Sequence, residues 1–264
     1  MSQSFTPDDL ARFASAVACG AVRVIDLTQT LTPEFPVIVL PPEFGRAAPF
    51  RMEEISRYDE RGPGWYWNNF TMSEHTGTHF DAPIHWITGR DLPDASVDTI
   101  PPANFVAPAC VIDASAQCAE NPDFTLEGEH LLAWERAHGE IPKRSWVLLR
   151  TDWSRRPARA YANMREDGAH TPGPSPEAMK WLVEARDVHG FGTETIGTDH
   201  GQAFHFNPPH PAHHYIHGAG KYGLQCLCNL DQLPPKGAVI FSAPLKIKQG
   251  SGSPLRVLAL VANE

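Results

Sequence analysis

The chain has 264 residues, of which 42% are hydrophobic and 20% charged, and its formal net charge is −9. This composition excludes a disordered chain, a coiled coil and a fibrous repeat, and the acidic balance argues against a nucleic-acid partner. No run of about 18 apolar residues occurs, so we expect no membrane partner. The first residues, MSQSFTPDDL, lack the basic and apolar regions of a secretory signal. We therefore predict a cytoplasmic protein whose residues 1–264 form one domain.

Helix and strand signals alternate along the chain. Thr6, Pro7 and Gly20 mark the start and the end of a first helix, and the residues from Val22 to Leu27 predict a strand. Prolines and glycines favour loops between Thr32 and Pro63. Later segments predict a helix over 126–138, a strand over 146–151, a helix from Ser175 to Gly190, and strands over 193–198, 224–230, 239–242 and 255–261. This order of elements predicts an α/β fold.

Residues 73–86, SEHTGTHFDAPIHW, combine three histidines with a carboxylate. Histidine and aspartate are common ligands of divalent cations. A helix would place Asp81 away from the face shared by His75 and His79, and a straight strand would separate the two histidines by ~13 Å. The chain must therefore bend, and Gly77 permits a bend at low steric cost. His79 and Asp81, two residues apart, point the same way.

The last residues of this segment predict a role other than metal binding. Pro83 biases Ala82 to an extended conformation and carries His85 beyond the ligand cluster, which predicts proton transfer rather than metal binding for His85. The alternative interpretation is that these are histidines of an ordinary loop. Residues 218–223 fit G-x-G-x-x-G, but they follow a histidine-rich loop and precede a strand, so we do not expect dinucleotide binding.

The motif resembles the H-x-G-T-H-x-D-x-P-x-H signature of the metal-dependent cyclase family, which includes bacterial kynurenine formamidases and isatin hydrolases. Every fixed position of the signature is matched, from His75 to His85. The resemblance implies a swivelling β/β/α form of the α/β class, with a mixed sheet partly closed into a barrel, and a homodimer or higher homo-oligomer. It also implies that His75, His79 and Asp81 bind the metal and that His85 is the catalytic acid and base.

At one position of the predicted site the chain differs from the two-zinc formamidases of the family. In the two-zinc formamidases a histidine and a glutamate complete a second metal position, and the matching residues here are His213 and Gln225. With a neutral amide at 225, Asp81 is the only anionic ligand, so two neighbouring cations would repel each other. We expect one divalent metal, with Gln225 among its ligands and manganese favoured over zinc, as the resemblance to isatin hydrolases implies. Register alone does not decide whether His213 or His214 enters the site. The same proline-rich loop has further histidines, one or two of which could enter the site with His213: His205, His210, His214 and His217.

Aromatic residues next to the ligands suggest a substrate. Trp65 and Trp86 could stack on a flat aromatic ring, as part of a group with Tyr66, Trp67 and Phe70, although ordinary core packing explains each one equally well. The expected activity is hydrolysis of a cyclic amide, isatin plus water to isatinate, with His213 helping to bind the substrate. The alternatives are an arylformamidase acting on N-formylkynurenine and a non-catalytic binding protein that kept the fold.

Overall fold

The computed structural model describes residues 6–263. Its α-helices are α1 (Pro7–Ala18), α2 (Ser115–Glu120), α3 (Gly128–His138), α4 (Ala158–Tyr161), α5 (Pro176–Glu184) and α6 (Pro211–Gly218). Its strands are β1 (Val22–Asp26), β2 (Arg51–Asp59), β3 (Gly62–Thr71), β4 (His79–Asp81), β5 (Val106–Asp113), β6 (Thr125–Leu126), β7 (Trp146–Arg150), β8 (Met164–Arg165), β9 (Gly168–Ala169), β10 (Gly173–Pro174), β11 (Gly190–Thr193), β12 (Tyr222–Gln225), β13 (Lys236–Phe241), β14 (Gly252–Pro254) and β15 (Leu258–Ala262). No helix among these residues has the length and apolar character that a membrane crossing requires.

A mixed sheet of nine strands organises the fold, in the order β1-β15-β13-β5-β7-β11-β12-β4-β14. The central strands β5, β7, β11 and β12 run parallel to one another. Antiparallel strands flank them, with β4 and β14 on one side and β13, β15 and β1 on the other. The sheet curls into a half-barrel with helices packed on it, which confirms the expected α/β fold.

The two larger clusters of the core lie on opposite faces of the central strands. In β7, Trp146 and Leu148 join one cluster, whereas Val147 and Leu149 join the cluster that also contains residues of α3, α5 and α6. This alternation follows from the two-residue period of a strand, and burial on both faces is typical of parallel strands. The helices therefore cover one face of the sheet, and this face also carries the site described below.

Several predicted elements are confirmed. Thr6 caps α1, α3 lies within 126–138, and β7 within 146–151. Ser175 caps α5, but this helix ends at Glu184 rather than near Gly190, because Gly190 already belongs to the sheet. A Cβ at Gly190 would lie 2.3 Å from the ring of Trp146, so only glycine fits there.

Two strands end earlier than predicted. The expected strand over 193–198 is wrong: β11 stops at Thr193, and the Glu194 carboxylate accepts hydrogen bonds from backbone N–H groups of residues 151 and 152. The strand expected over 224–230 stops at Gln225, because Cys226 has φ 52°, a left-handed conformation that ends the extended backbone of the strand. The last residue of β12, Gln225, belongs to the cluster described below.

The predicted loop between residues 32 and 63 is partly wrong. The segment includes β2, which pairs with β3 in a two-stranded hairpin separate from the main sheet. Exposed side chains occupy most positions on both strands, so the alternation that identifies a half-buried strand is absent. The central strand β5 was also not predicted, because Pro108 lies inside it and proline argues against a sheet interior.

Candidate metal centre

Strand β4 supplies two of the clustered side chains. His79 and Asp81 are buried on one face, while Phe80 between them points into the core on the other. Gly77, with φ 76°, turns the chain just before β4. The turn brings Nδ1 of His75 to 2.8 Å from Asp81 Oδ1, and Nε2 of His79 lies 3.5 Å from the same oxygen. The bend expected at Gly77 therefore removes the separation that a straight strand would impose.

Two glycines flank Asp81 in the sheet. Gly223 of β12 and Gly252 of β14 are its register partners. A Cβ at Gly252 would lie 2.6 Å from Cε1 of His75, and one at Gly223 would lie 3.0 Å from Nε2 of Gln225. Side chains at these two positions would fill the space that the clustered groups occupy, so the glycines keep a cradle open around Asp81.

Gln225 faces this cradle from the end of β12, opposite His79. Its side-chain nitrogen donates to Asp81 Oδ2, and its Oε1 is buried without a hydrogen-bond partner. An unpaired buried carbonyl oxygen is costly, and oxygen and nitrogen of an amide are interchangeable by a half-turn. After such a half-turn the oxygen would face Asp81, where a bound cation would supply the partner that it lacks.

Burial and charge fix the protonation of the two innermost groups. Burial lowers the pKa of His79 to about 4, against the attraction of Asp81. Since Nδ1 of His79 donates to the Gly77 carbonyl at 2.7 Å, its lone pair is on Nε2, facing Asp81. Burial raises the pKa of Asp81, but His85, His75 and His79 outweigh it and hold that pKa well below the usual value. The centre thus presents a carboxylate and a neutral imidazole.

His85 lies nearer to the cluster than the sequence predicted. Ala82 is extended, as expected, but residues 83–85 form a 3-10 turn that folds His85 back. The ring of His85 stacks on that of His75 with centroids 3.9 Å apart. Asp81, His85 and His213 also offer atoms within 4.8 Å of one another. The expected position beyond the cluster is therefore wrong, because a single 3-10 turn reverses the chain.

The histidine-rich segment after residue 205 is largely a helix rather than the expected loop. Pro211 occupies the first turn of α6, which presents His213 and His217, four residues apart, on one side. Nε2 of His213 lies 3.8 Å from Asp81 Oδ2. His214 instead packs beside Tyr215, so His213 is the residue that reaches the cluster.

Of two further groups in this region, Asp199 was not singled out from the sequence, whereas His217 was one of four histidines of which one or two were expected to join His213. Asp199, in the segment after β11, accepts a hydrogen bond from Nδ1 of His213. His217 is buried, with its ring 6.1 Å from that of His85, and burial lowers its pKa to about 4. The proline and glycine that bound residues 211–218 are helix signals, and they could have indicated His217 through its spacing from His213.

The two predicted tryptophans occupy different surroundings. The ring of Trp86 lies 5.0 Å from that of His213 and 5.4 Å from that of His210, at the rim of the cluster. Trp65 lies on the hairpin, 59% exposed and close to Gly62 of its own hairpin. Trp86 is therefore brought to the site, whereas Trp65 is not brought to it within the described chain.

These groups fit a divalent cation. His75, His79 and Asp81 offer ligand atoms within 4.8 Å of one another, and the amide of Gln225 adds an oxygen. Two imidazoles with a carboxylate and an amide are a mixed nitrogen and oxygen set, which suits manganese or zinc. The unpaired Gln225 oxygen and the glycine cradle are the two features that a purely structural histidine cluster does not require.

Comparisons with known proteins agree with this geometry. The family model described as Cyclase matches residues 25–200. The chain is 46% identical over 255 residues to isatin hydrolase from Roseibium aggregatum, covering 96% of this chain and 97% of the relative. The structure of isatin hydrolase A from Labrenzia aggregata bound to benzyl benzoate is 63% identical, with a TM-score of 0.95 over 96% of this chain and 99% of that one.

Two further comparisons bear on the substrate. An isatin hydrolase structure with the product analogue thioisatinate is 44% identical, with a TM-score of 0.96 over 98% of this chain and 100% of that one. Kynurenine formamidase from Salinibacter ruber is 28% identical over 188 residues, covering 71% of this chain and 76% of the relative. The similarity to isatin hydrolases is therefore both higher and more extensive.

Proposed function

The chain belongs to the Cyclase family, and from this premise we propose that it is a metal-dependent amidohydrolase that opens isatin with water to give isatinate. The observation that carries the proposal is the convergence of His75, His79 and Asp81, beside the unpaired oxygen of Gln225. The names of the relatives with 44–63% identity agree with this reaction. The formamidase alternative has weaker support, at 28% identity.

Four side chains would hold the ion: His75 through Nδ1, His79 through Nε2, Asp81 through Oδ1 and Gln225 through Oε1. When bound, a divalent ion polarises an amide carbonyl and brings the pKa of water near neutrality. The sheet fixes three of these residues, since His79, Asp81 and Gln225 are in paired strands. Such a preorganised site needs little rearrangement to act.

His85 would move the proton. Burial lowers the pKa of His85 to about 2, against the attraction of Asp81 and together with its histidine neighbours. The ring is thus neutral at neutral pH and has a lone pair free to take a proton from the attacking water. Asp81, held as a carboxylate, stabilises the resulting imidazolium. His85 then returns the proton to the departing aryl nitrogen, as general acid–base catalysis requires.

Trp86 and His213 would orient the substrate. The Trp86 ring lies at the rim of the cluster next to His213, where a flat bicyclic ring can stack. His213 directs Nε2 towards the cluster because its Nδ1 is bonded to Asp199. Trp65, on the exposed hairpin, could contribute only if a second copy of the chain brought it to the site.

The decisive experiment measures loss of isatin absorbance and of N-formylkynurenine absorbance with protein supplied with Mn²⁺ or Zn²⁺. We expect isatin turnover to exceed formamide cleavage by a large margin. His85→Ala should lower kcat about 100-fold or more while keeping the metal content, whereas His205→Ala is a control on an exposed histidine. Faster cleavage of N-formylkynurenine would replace the proposal by the formamidase alternative, and full kcat in H85A would refute the role of His85.

We also infer one ion per chain, with manganese favoured. Asp81 is the only carboxylate in the four-ligand set, so a second cation would meet repulsion with little compensation. Metal analysis of protein grown with each cation should give a content near one per chain. A reproducible content near two would instead favour the two-zinc arrangement.

The hairpin of β2 and β3 supports the proposed homodimer. It forms its own two-stranded sheet and exposes Trp65, Trp67 and Phe70. An isolated hairpin is at best marginally stable in water, so an apolar partner for these rings is expected. Light scattering should give twice the chain mass, and W65S/W67S should shift it towards the monomer. The cytoplasmic location also stays a prediction, to be tested by cell fractionation.

A further inference from the structure

We propose that Glu74 and Ser251 form a positioning pair that fixes a proton on Nε2 of His75 and so leaves Nδ1 free for the metal. The inference rests on the proposed role of His75 as a metal ligand and adds two residues that do not touch the ion. Ser251 immediately precedes β14, and Glu74 immediately precedes His75. The two residues are therefore 177 positions apart in the sequence and meet at the ring of His75.

The donors and acceptors around Ser251 decide the direction of its two hydrogen bonds. Ser251 Oγ lies 2.7 Å from Glu74 Oε2 and 2.9 Å from Nε2 of His75. A carboxylate only accepts, and a hydroxyl has a single hydrogen to give. Ser251 therefore donates to Glu74 and can only accept from His75. It follows that Nε2 of His75 carries a hydrogen.

The position of this proton matters because Asp81 competes for it. Nδ1 of His75 lies 2.8 Å from Asp81 Oδ1. A neutral imidazole facing Asp81 alone would place its one proton on Nδ1, since a hydrogen bond to a carboxylate is the stronger choice. That proton would occupy the lone pair that a metal needs. The bond to Ser251 offers the ring an alternative donor position on the other side.

The proton of the neighbouring His79 is fixed in the same way. The proton of His79 is directed to the Gly77 carbonyl, so its Nε2 faces Asp81 unprotonated. Ser251 performs for His75 what a backbone carbonyl performs for His79. The backbone also holds Ser251 in place: its carbonyl accepts from Ala82 N at 2.9 Å, and its own N–H donates to Glu74 at 3.3 Å.

Zinc affinity of the metal-free protein, measured by competition with a chromophoric chelator, tests the proposal without recourse to activity. We expect Ser251→Ala to weaken Zn²⁺ binding about 10- to 100-fold, the usual cost of losing an outer-shell partner. Glu74→Ala should act in the same direction, because the Ser251 hydrogen is then free to turn to Nε2. Ser251→Thr keeps the hydroxyl and should keep the affinity.

Ser253→Ala is the matched control. Ser253 belongs to β14 and is buried, but its hydroxyl contacts Leu245 N and the carbonyl of Pro254 rather than a histidine. It should bind Zn²⁺ like the wild type. A loss shared equally by S253A and S251A would assign the effect to packing of the strand and overturn the proposal.

A second readout follows the proton itself. In ¹⁵N-labelled metal-free protein at about pH 8, with the ring assigned by comparison with His75→Gln, we expect a hydrogen on Nε2 in the wild type and on Nδ1 in S251A. Unchanged affinity and an unchanged tautomer in S251A would overturn the positioning role alone. If H75Q itself binds Zn²⁺ as the wild type does, His75 is not a ligand, and both this inference and the proposed metal site fail.

Discussion

Asp199 accepts a hydrogen bond from Nδ1 of His213, and its other oxygen accepts one from the backbone N–H of Ala212 at 2.6 Å. One carboxylate therefore anchors the start of α6 and sets the orientation of a ring on that helix. Burial lowers the pKa of His213, but the charge and hydrogen bond of Asp199 outweigh it, so the pKa is raised. The ring directs its second nitrogen to Asp81 as a result.

Asp199→Asn keeps the shape of this anchor and removes its charge. We expect kcat/KM for isatin to fall about 10- to 100-fold, as for other residues that orient a site histidine, with metal content unchanged because His213 is not a proposed ligand. Steady-state kinetics with metal analysis checks both. Asp231→Asn, which removes the carboxylate of a partly exposed ion pair with Arg155, is the control. Equal kcat/KM in D199N and D231N would contradict the orienting role.

Gln225→Glu places a second carboxylate beside Asp81. In the metal-free protein the two like charges repel, so the melting temperature should fall below that of the wild type. Added Zn²⁺ should raise the melting temperature of the variant more than that of the wild type, and the metal content should rise above one per chain. Thermal scans at several Zn²⁺ concentrations measure the difference. A variant that gains no extra stabilisation from Zn²⁺ would place residue 225 outside the metal site.

Gly252→Ala tests the cradle around Asp81. The added Cβ would lie 2.6 Å from the His75 ring and 2.5 Å from the carbonyl of Phe80, so His75 must move. We expect loss of most Zn²⁺ affinity and a destabilisation of roughly 1–3 kcal/mol, typical of overpacking. Gly197→Ala has open space within 4 Å and should leave both quantities unchanged. Chelator competition and urea unfolding distinguish the two variants.

His170 links pH to stability away from the metal centre. Its Nδ1 lies 2.8 Å from Asp123 and its Nε2 2.9 Å from Asp167. Hydrogen bonds to Asp123 and then Asp167 raise the pKa of His170 above 6.5. This stabilisation is fully present below the unfolded-state pKa and is lost as the pH rises through the higher folded-state value.

The corresponding variant is His170→Gln. We expect its free energy of unfolding to lie below that of the wild type at about pH 5.5 and to approach it at about pH 9, where the imidazole of the wild type is neutral. Urea unfolding of both proteins at the same metal concentration gives the difference at each pH. If the difference in free energy of unfolding between the two proteins stayed constant over this pH range, the charge of His170 would not be involved.

The parts of the site that could be predicted depend on local chain geometry. The two-residue period of a strand places His79 and Asp81 together, and a glycine was required to bring His75 back; the structure has both features. The predicted position of His85 was wrong because the 3-10 turn over Pro83–His85 involves only three residues and has no apolar pattern in the sequence. Local spacing therefore predicted the cluster of His75, His79 and Asp81 but not the side chains around it.

The rest depends on contacts between distant segments. Asp199 and Ser251 meet their histidines only because β11 and β14 lie in one sheet with β4, and no sequence spacing encodes those pairings. The central strand β5 was missed because Pro108 breaks its local pattern, although paired neighbours on both sides hold it in the sheet. Trp65 shows the reverse case, since it lies only ten residues before His75 in the sequence while its strand pairs with β2 in a separate hairpin.

Phe80 lies between His79 and Asp81 in β4 and is fully buried. We therefore expect this part of the site to open only when the whole protein unfolds. Because the three residues share one short strand, we expect the backbone of His79 and Asp81 to stay in place while that ring stays in the core. Amide hydrogens of residues 79–81 should thus exchange with solvent only when the whole sheet opens, whereas those of the hairpin over 51–71 should exchange through local opening. The site would therefore persist for as long as the chain stays folded, even while its neighbouring hairpin opens and closes many times.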